Sequence, residues 1–136
     1  MIESHLRIVG ALLVLLGVAH FAFPKRFGWK EELARLSLLN RQIFLVHTFF
    51  IALTLVLMGL ITGLYAKTLL QPSPVNAAIL AGAAIFWACR LFVQFFVYDS
   101  KLWKGNAFNT WMHVLFSCFW IYLVATYSMA AKLAWR

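Results

Sequence analysis

Of the chain's 136 residues, 64% are hydrophobic and only 12% are charged. Soluble domains run at about 45–50% apolar and about 25% charged, so too few polar residues exist to clothe a water-facing surface, and lipid must cover it. The net charge of +8 sits mostly in Lys and Arg that flank apolar runs, as membrane anchors do, which excludes nucleic acid as the expected partner and points to the bilayer.

A helix crosses a hydrocarbon core of about 30 Å with about 20 residues. The first stretch that qualifies is 5–23, stopped by Pro24; the run is too long for a cleavable signal and no small-residue cleavage site ends it. The connection that follows carries Trp29, Leu33 and Leu36 at helical spacing with charges between them, which predicts a short amphipathic helix lying in the interface. The second span is 41–66, with Gly59 and Gly63 forming a GxxxG near its end. The third, 75–98, follows the breaker "QPSP" and begins with the small residues Ala77, Ala78, Ala81 and Gly82. The fourth is 107–131, after a short connection holding Lys101, Trp103 and Lys104. Backbone polar groups in lipid must be satisfied within the segment, so all four spans are expected as helices. The expected architecture is all-α: an integral membrane four-helix bundle forming one transmembrane domain over 1–136, with the amphipathic helix between its first and second spans.

Direction follows from the cations. The first and third connections, with the residues beside them, hold Lys25, Arg26, Lys30, Arg35, Arg41, Lys101 and Lys104; the opposite side holds Arg7, Lys67, Lys132 and Arg136. Seven against four predicts the first group as cytoplasmic and both termini on the non-cytoplasmic side.

The polar residues of the spans then fall at one level. His20 is near the cytoplasmic end of the first span, and His47 near the cytoplasmic start of the second, after Asn40. Gln94 lies near the end of the third, and Asn109 and His113 near the start of the fourth. At 1.5 Å per residue the three histidines and Gln94 sit roughly 4–10 Å inside the same face, and Arg90 about 12 Å. Arg90 and Gln94 are one helical turn apart, and Asn106, Asn109, His113 and Ser117 form one stripe. Intramembrane ionisable residues face bundle interiors and mark function by default. With phenylalanines crowding the same half (Phe21, Phe23, Phe44, Phe49, Phe50, Phe92, Phe95, Phe96 and Phe108) and small residues in the other, the sequence predicts a cytoplasm-side pocket with aromatic walls.

Blander fates stand beside this. Asn40 fits a helix N-cap, Ser117 a bond back to its own helix, Asn109 a link between helices, and Tyr98, Trp29 and Trp103 an interfacial belt. Cys89 and Cys118 lack metal or redox spacing and read as small buried hydrophobes.

No HExxH, GxSxG or P-loop occurs, and no acid lies inside a span, which removes carboxylate-rich di-iron and proton-driven export chemistry. An unpaired buried guanidinium costs about 2.5–3.5 kcal/mol even on the lenient insertion scale, so Arg90 needs carbonyls, water or an anion. The reading is a site of His20, His47, Arg90, Gln94 and His113, with Asn40 and Asn109 beside them, for a redox cofactor (haem b or quinone) or an anionic amphiphile. An oxidoreductase or a lipid-modifying enzyme would use such a site. A single metal ion on His20, His47 and His113 is a further option. The alternative is a non-catalytic small subunit or lipid-binding module, within a homo-oligomer or among other membrane subunits, where Arg90 meets a partner's acid.

Overall fold

The computed structural model describes residues 1–136, the side chain of Ser100 aside, and contains helices and no strand among them. Four helices are long and apolar enough to cross a membrane: α1 (Ile2–Ala19), α4 (Leu38–Leu64), α6 (Pro74–Phe96) and α7 (Ala107–Ala134). Short turns of helix fill the connections, namely α2 (Phe23–Arg26), α3 (Trp29–Leu33), α5 (Ala66–Leu69) and a 3-10 turn over Ser100–Leu102.

Each long helix after the first begins where its sequence supplies a cap. Ser37 accepts from the backbone N–H of Asn40 at 3.3 Å and opens α4, so Asn40 is not the N-cap but a first-turn residue. Ser73 accepts from Val75 N–H, and Pro74 follows it at the first helical position, where its missing N–H costs nothing. Asn106 accepts from Asn109 N–H and opens α7. The amphipathic helix expected between the first two spans is divided. Gly28, at φ 63, separates α2 from α3, because a left-handed residue cannot continue a right-handed helix. Leu33 is buried and Trp29 lies edge-on against Phe44 at 4.8 Å, while Leu36 is exposed.

By packing, the chain divides into two units: Leu6–Ala66, and Lys67–Arg136 together with Met1–His5. In the first unit, α1 and α4 meet at glycine. A methyl group on Gly10 would fall 2.5 Å from the backbone nitrogen of Gly63, and one on Gly59 would fall 2.6 Å from the carbonyl oxygen of Gly10. Such contact of backbone on backbone is how apolar helices gain attraction in lipid, where no hydrophobic drive separates helix from solvent. Gly17 repeats the arrangement against Ala52 and Val56.

In the second unit, α6 and α7 pack antiparallel, and the start of one meets the end of the other where Ser73 N–H donates to the Ala134 carbonyl at 3.0 Å. The stripe buried on α6 includes Ala77, Leu80, Ala84, Trp87 and Gln94; that on α7 includes Ser117, Trp120, Leu123, Tyr127 and Ala130. Gly82 is not a close contact: its missing side chain faces open space. His5 completes the unit through Nδ1, 2.9 Å from the Tyr122 hydroxyl.

Two expectations about faces are corrected. Cys89 and Cys118 are exposed rather than buried. Phe21, Phe44, Phe49, Phe50, Phe92, Phe95, Phe96 and Phe108 are also exposed, Phe96 by 73%, and Phe23 is half-buried, so apart from Phe95, whose ring meets His113, they do not wall a pocket. Lipid tails are as apolar as a helix interior, so a phenylalanine gains little by turning inward.

Candidate functional site

The α6–α7 pair brings together three of the residues singled out by sequence. Arg90 donates from Nη1 to Gln94 Oε1 at 3.2 Å, one turn along α6. Gln94, only 6% exposed, reaches α7 with its other end, where Nε2 lies 2.7 Å from Nδ1 of His113. Trp120 adds a long hydrogen bond of 3.4 Å from its indole N–H to the same Gln94 oxygen.

These contacts fix protons. Guanidinium and indole only donate, so the Gln94 oxygen must face them and its NH2 must face His113. Nδ1 of His113 is therefore an acceptor, and the neutral imidazole carries its proton on Nε2. What the cluster leaves unused is donors: Nε2–H of His113 and the remaining N–H groups of Arg90.

Aromatic rings pack around this core. The Arg90 guanidinium lies 4.8 Å from the centre of the Trp120 ring and 5.6 Å from that of Tyr98. Such placement is worth about 0.5–2 kcal/mol, depending on desolvation. No carboxylate pairs with Arg90 among the described residues. Trp120 stacks in turn on Trp87 at 5.2 Å and 9°. Trp103 stacks on His113 at 3.9 Å and 12°, and Phe95 meets the same imidazole edge-on.

The loop before α7 is built to hold that stack. Asn109 donates from its side chain to the Leu102 carbonyl at 2.8 Å, and the Thr110 hydroxyl donates to the Trp103 carbonyl at 2.7 Å. Gly105, at φ 85, supplies the turn. Asn109 is thus a clasp on its own loop, not a link between long helices. Ser117 donates to the His113 carbonyl at 2.7 Å, the back-bond expected of it.

The remaining residues, His20, Asn40 and His47, belong to the Leu6–Ala66 unit. His20 stands one residue past the end of α1, and its Nδ1–H donates to the Leu16 carbonyl at 2.8 Å, closing the helix terminus. His47 is exposed on α4 and donates in the same way to Ile43. No hydrogen bond or ring contact joins these two histidines to each other. Asn40 is exposed at the first turn of α4. The three-histidine metal site is without support: among the described residues, no group of three or more His, Cys, Asp or Glu could hold a metal ion.

Within the α6–α7 pair rings pack against the polar layer, and Arg90 and His113 stay half-buried. A cavity of about 340 Å³ lies at the opposite end, lined by Pro72, Ser73, Pro74, Ala134, Trp135 and Arg136.

Sequence reasoning missed Trp120 and Trp103 as members of this layer, and expected Tyr98 beside Gln94 only as part of an interfacial belt. Trp120 was within reach of the argument, because it extends the His113–Ser117 stripe by one further turn. Trp103 was not, since an interfacial tryptophan needs no second role to explain it. Compared with family models, curated proteins and solved structures, the chain has no significant match.

Proposed function

We propose that the chain is an integral membrane protein whose Arg90–Gln94–His113 layer binds an amphiphile with acceptor oxygens on its head group: a quinone-type redox cofactor or an anionic amphiphile. The supporting observation is the direction of the protons. Gln94 turns both neighbours so that the cluster's unused polar atoms are donors, one set on a guanidinium and one on an imidazole. An acceptor-bearing head group answers that pattern, and exposed apolar helix surface gives its tail a lipid-like route. Haem ligation by His113 does not suit this arrangement, because Nε2 carries the proton and Nδ1 is engaged.

In the same reading the four long helices associate as a bundle, with the polar layer towards the cytoplasm and both termini on the other side. The excess of Lys and Arg beside the first and third connections supports that direction. A C-terminal reporter active only in the cytoplasm should stay silent; full signal would reverse the orientation.

The experiment is mass spectrometry of small molecules extracted from protein purified in nanodiscs. Wild type should retain a quinone or an anionic amphiphile that Gln94→Leu loses. The visible spectrum before and after dithionite should be featureless, and a Soret band would overturn the proposal in favour of haem. A second reading rests on Arg90 having no carboxylate partner among the described residues: a subunit whose arginine meets the acid of another membrane protein. It requires a co-purifying subunit that Arg90→Ala releases, with no retained small molecule.

A further inference from the structure

Of the two head-group classes, we infer that the layer takes an oxyanion, a carboxylate or a phosphate, rather than a neutral carbonyl. This rests on the reading of the layer as a binding site and narrows its ligand.

The inference starts from charge. Arg90 is half-buried in α6, and its contacts are a neutral amide and two aromatic faces. Those contacts orient the guanidinium without neutralising it. The neighbouring His113 offers Nε2–H, a second donor from the facing helix. The guanidinium's free N–H groups form a fork that matches two oxygens sharing a negative charge, and such charge-assisted bonds are about twice as strong as neutral ones. A neutral carbonyl would use the donors and leave the charge unanswered in a medium that penalises it.

Trp87 adds a second unmet demand. Its indole N–H is buried, the residue being 2% exposed, and has no hydrogen-bond partner. It lies three residues before Arg90, on the same side of α6 and one turn deeper. Buried donors are seldom left unmade. A head group with a further acceptor below its charged oxygens, such as the ester carbonyl of an acylated phosphate, has that partner to offer.

Gln94 is then a positioning residue. Its oxygen draws Arg90 and Trp120 together, and its amide sets the His113 tautomer. Gln94→Glu would place a carboxylate against Arg90 and supply internally the charge that the ligand is inferred to bring.

The test is tryptophan quenching of the full chain in detergent by brominated probes. Brominated stearate carries a carboxylate, its methyl ester is the uncharged control, and brominated phosphatidate carries the lipid phosphate. Wild type should show saturable quenching, with one or both anions half-saturating at a concentration at least about tenfold below the ester, the factor that ~1.4 kcal/mol represents. Arg90→Gln should bring the anion to the ester's level, Arg90→Lys should recover part of the difference, and Gln94→Glu should behave like Arg90→Gln. Gel-filtration profiles matching wild type confirm that each variant is folded. Tighter quenching by stearate assigns a carboxylate, and by phosphatidate a lipid phosphate; either supports the inference. Equal quenching by acid and ester, unchanged in Arg90→Gln, would overturn it while leaving the layer a site for neutral acceptors. Absence of saturable quenching by any probe, a brominated quinone included, would overturn the binding site itself.

Discussion

Gln94 Nε2 and His113 Nδ1 lie 2.7 Å apart, and this bond joins the polar residues of α6 to those of α7. Because the Gln94 oxygen is held by two obligate donors, the direction of the bond is set. Histidine 15N chemical shifts of the labelled protein should show His113 as the Nε2–H tautomer. Gln94→Glu keeps an acceptor for Arg90 and Trp120 but has no proton to give. The His113 signal should then move to the Nδ1–H form, donating to the new carboxylate. An unchanged spectrum in that variant would show that the amide does not govern the ring.

The spans were legible in sequence because lipid leaves few alternatives. A run of about 20 apolar residues must close its own hydrogen bonds, and the Ser73–Pro74 pair and Asn106 mark the breaks; the first span is the exception, since α1 ends at Ala19 and Pro24 falls within α2 instead of stopping it. Arg90, Gln94 and His113 were legible for the same reason, since a polar group at that depth needs a partner. Depth did not reveal face. Residue counting puts His20 and His47 at the depth of Gln94, yet each donates to its own chain four residues back, a solution open to any histidine there. Small residues were ambiguous in the same way: Gly59 meets the Gly10 backbone, while Gly82 meets nothing.

The loop over residues 99–106 is expected to owe its form to Asn109. Asn109→Ala removes the bond to the Leu102 carbonyl and should cost about 0.5–1.5 kcal/mol, the usual net worth of one hydrogen bond. The larger effect should be local. Amide hydrogen exchange at residues 101–105 should accelerate, while the middle of α7 keeps its protection. Trp103→Phe should preserve the face contact on His113, and Trp103→Ala should lose it, read as a downfield return of the His113 ring protons once the indole current is gone.

Glycine at the α1–α4 contact is under a different constraint from glycine on α6. A Cβ on Gly10 or Gly59 would fall within 2.6 Å of backbone atoms that cannot rotate away. Gly10→Ala and Gly59→Ala should therefore each destabilise the helix pair by about 1–3 kcal/mol, the usual range for overpacking. Gly82→Ala faces open space and should gain up to about 1 kcal/mol of helix propensity. Thermal unfolding followed by fluorescence-detected gel filtration orders the three variants. A fall in midpoint for Gly82→Ala equal to that for Gly10→Ala would remove the distinction.

Exposure of Cys89 and Cys118 on long apolar helices has a chemical consequence. Both thiols lie on surface that faces lipid if α6 and α7 span the bilayer, so a reagent's partitioning rather than its reactivity should decide whether they are modified. A charged reagent does not enter hydrocarbon, whereas an apolar one concentrates there, so access should set the rate at both positions. In intact membranes a charged methanethiosulfonate should leave both cysteines unmodified over minutes, whereas an apolar maleimide that partitions into the bilayer should label them over hours. Cys118 lies about three helical turns below the start of α7, and Cys89 beside Arg90, so neither is at an aqueous edge. Rapid modification by the charged reagent at either position would mean that water reaches that face of the pair, and would place it against an aqueous path instead of lipid.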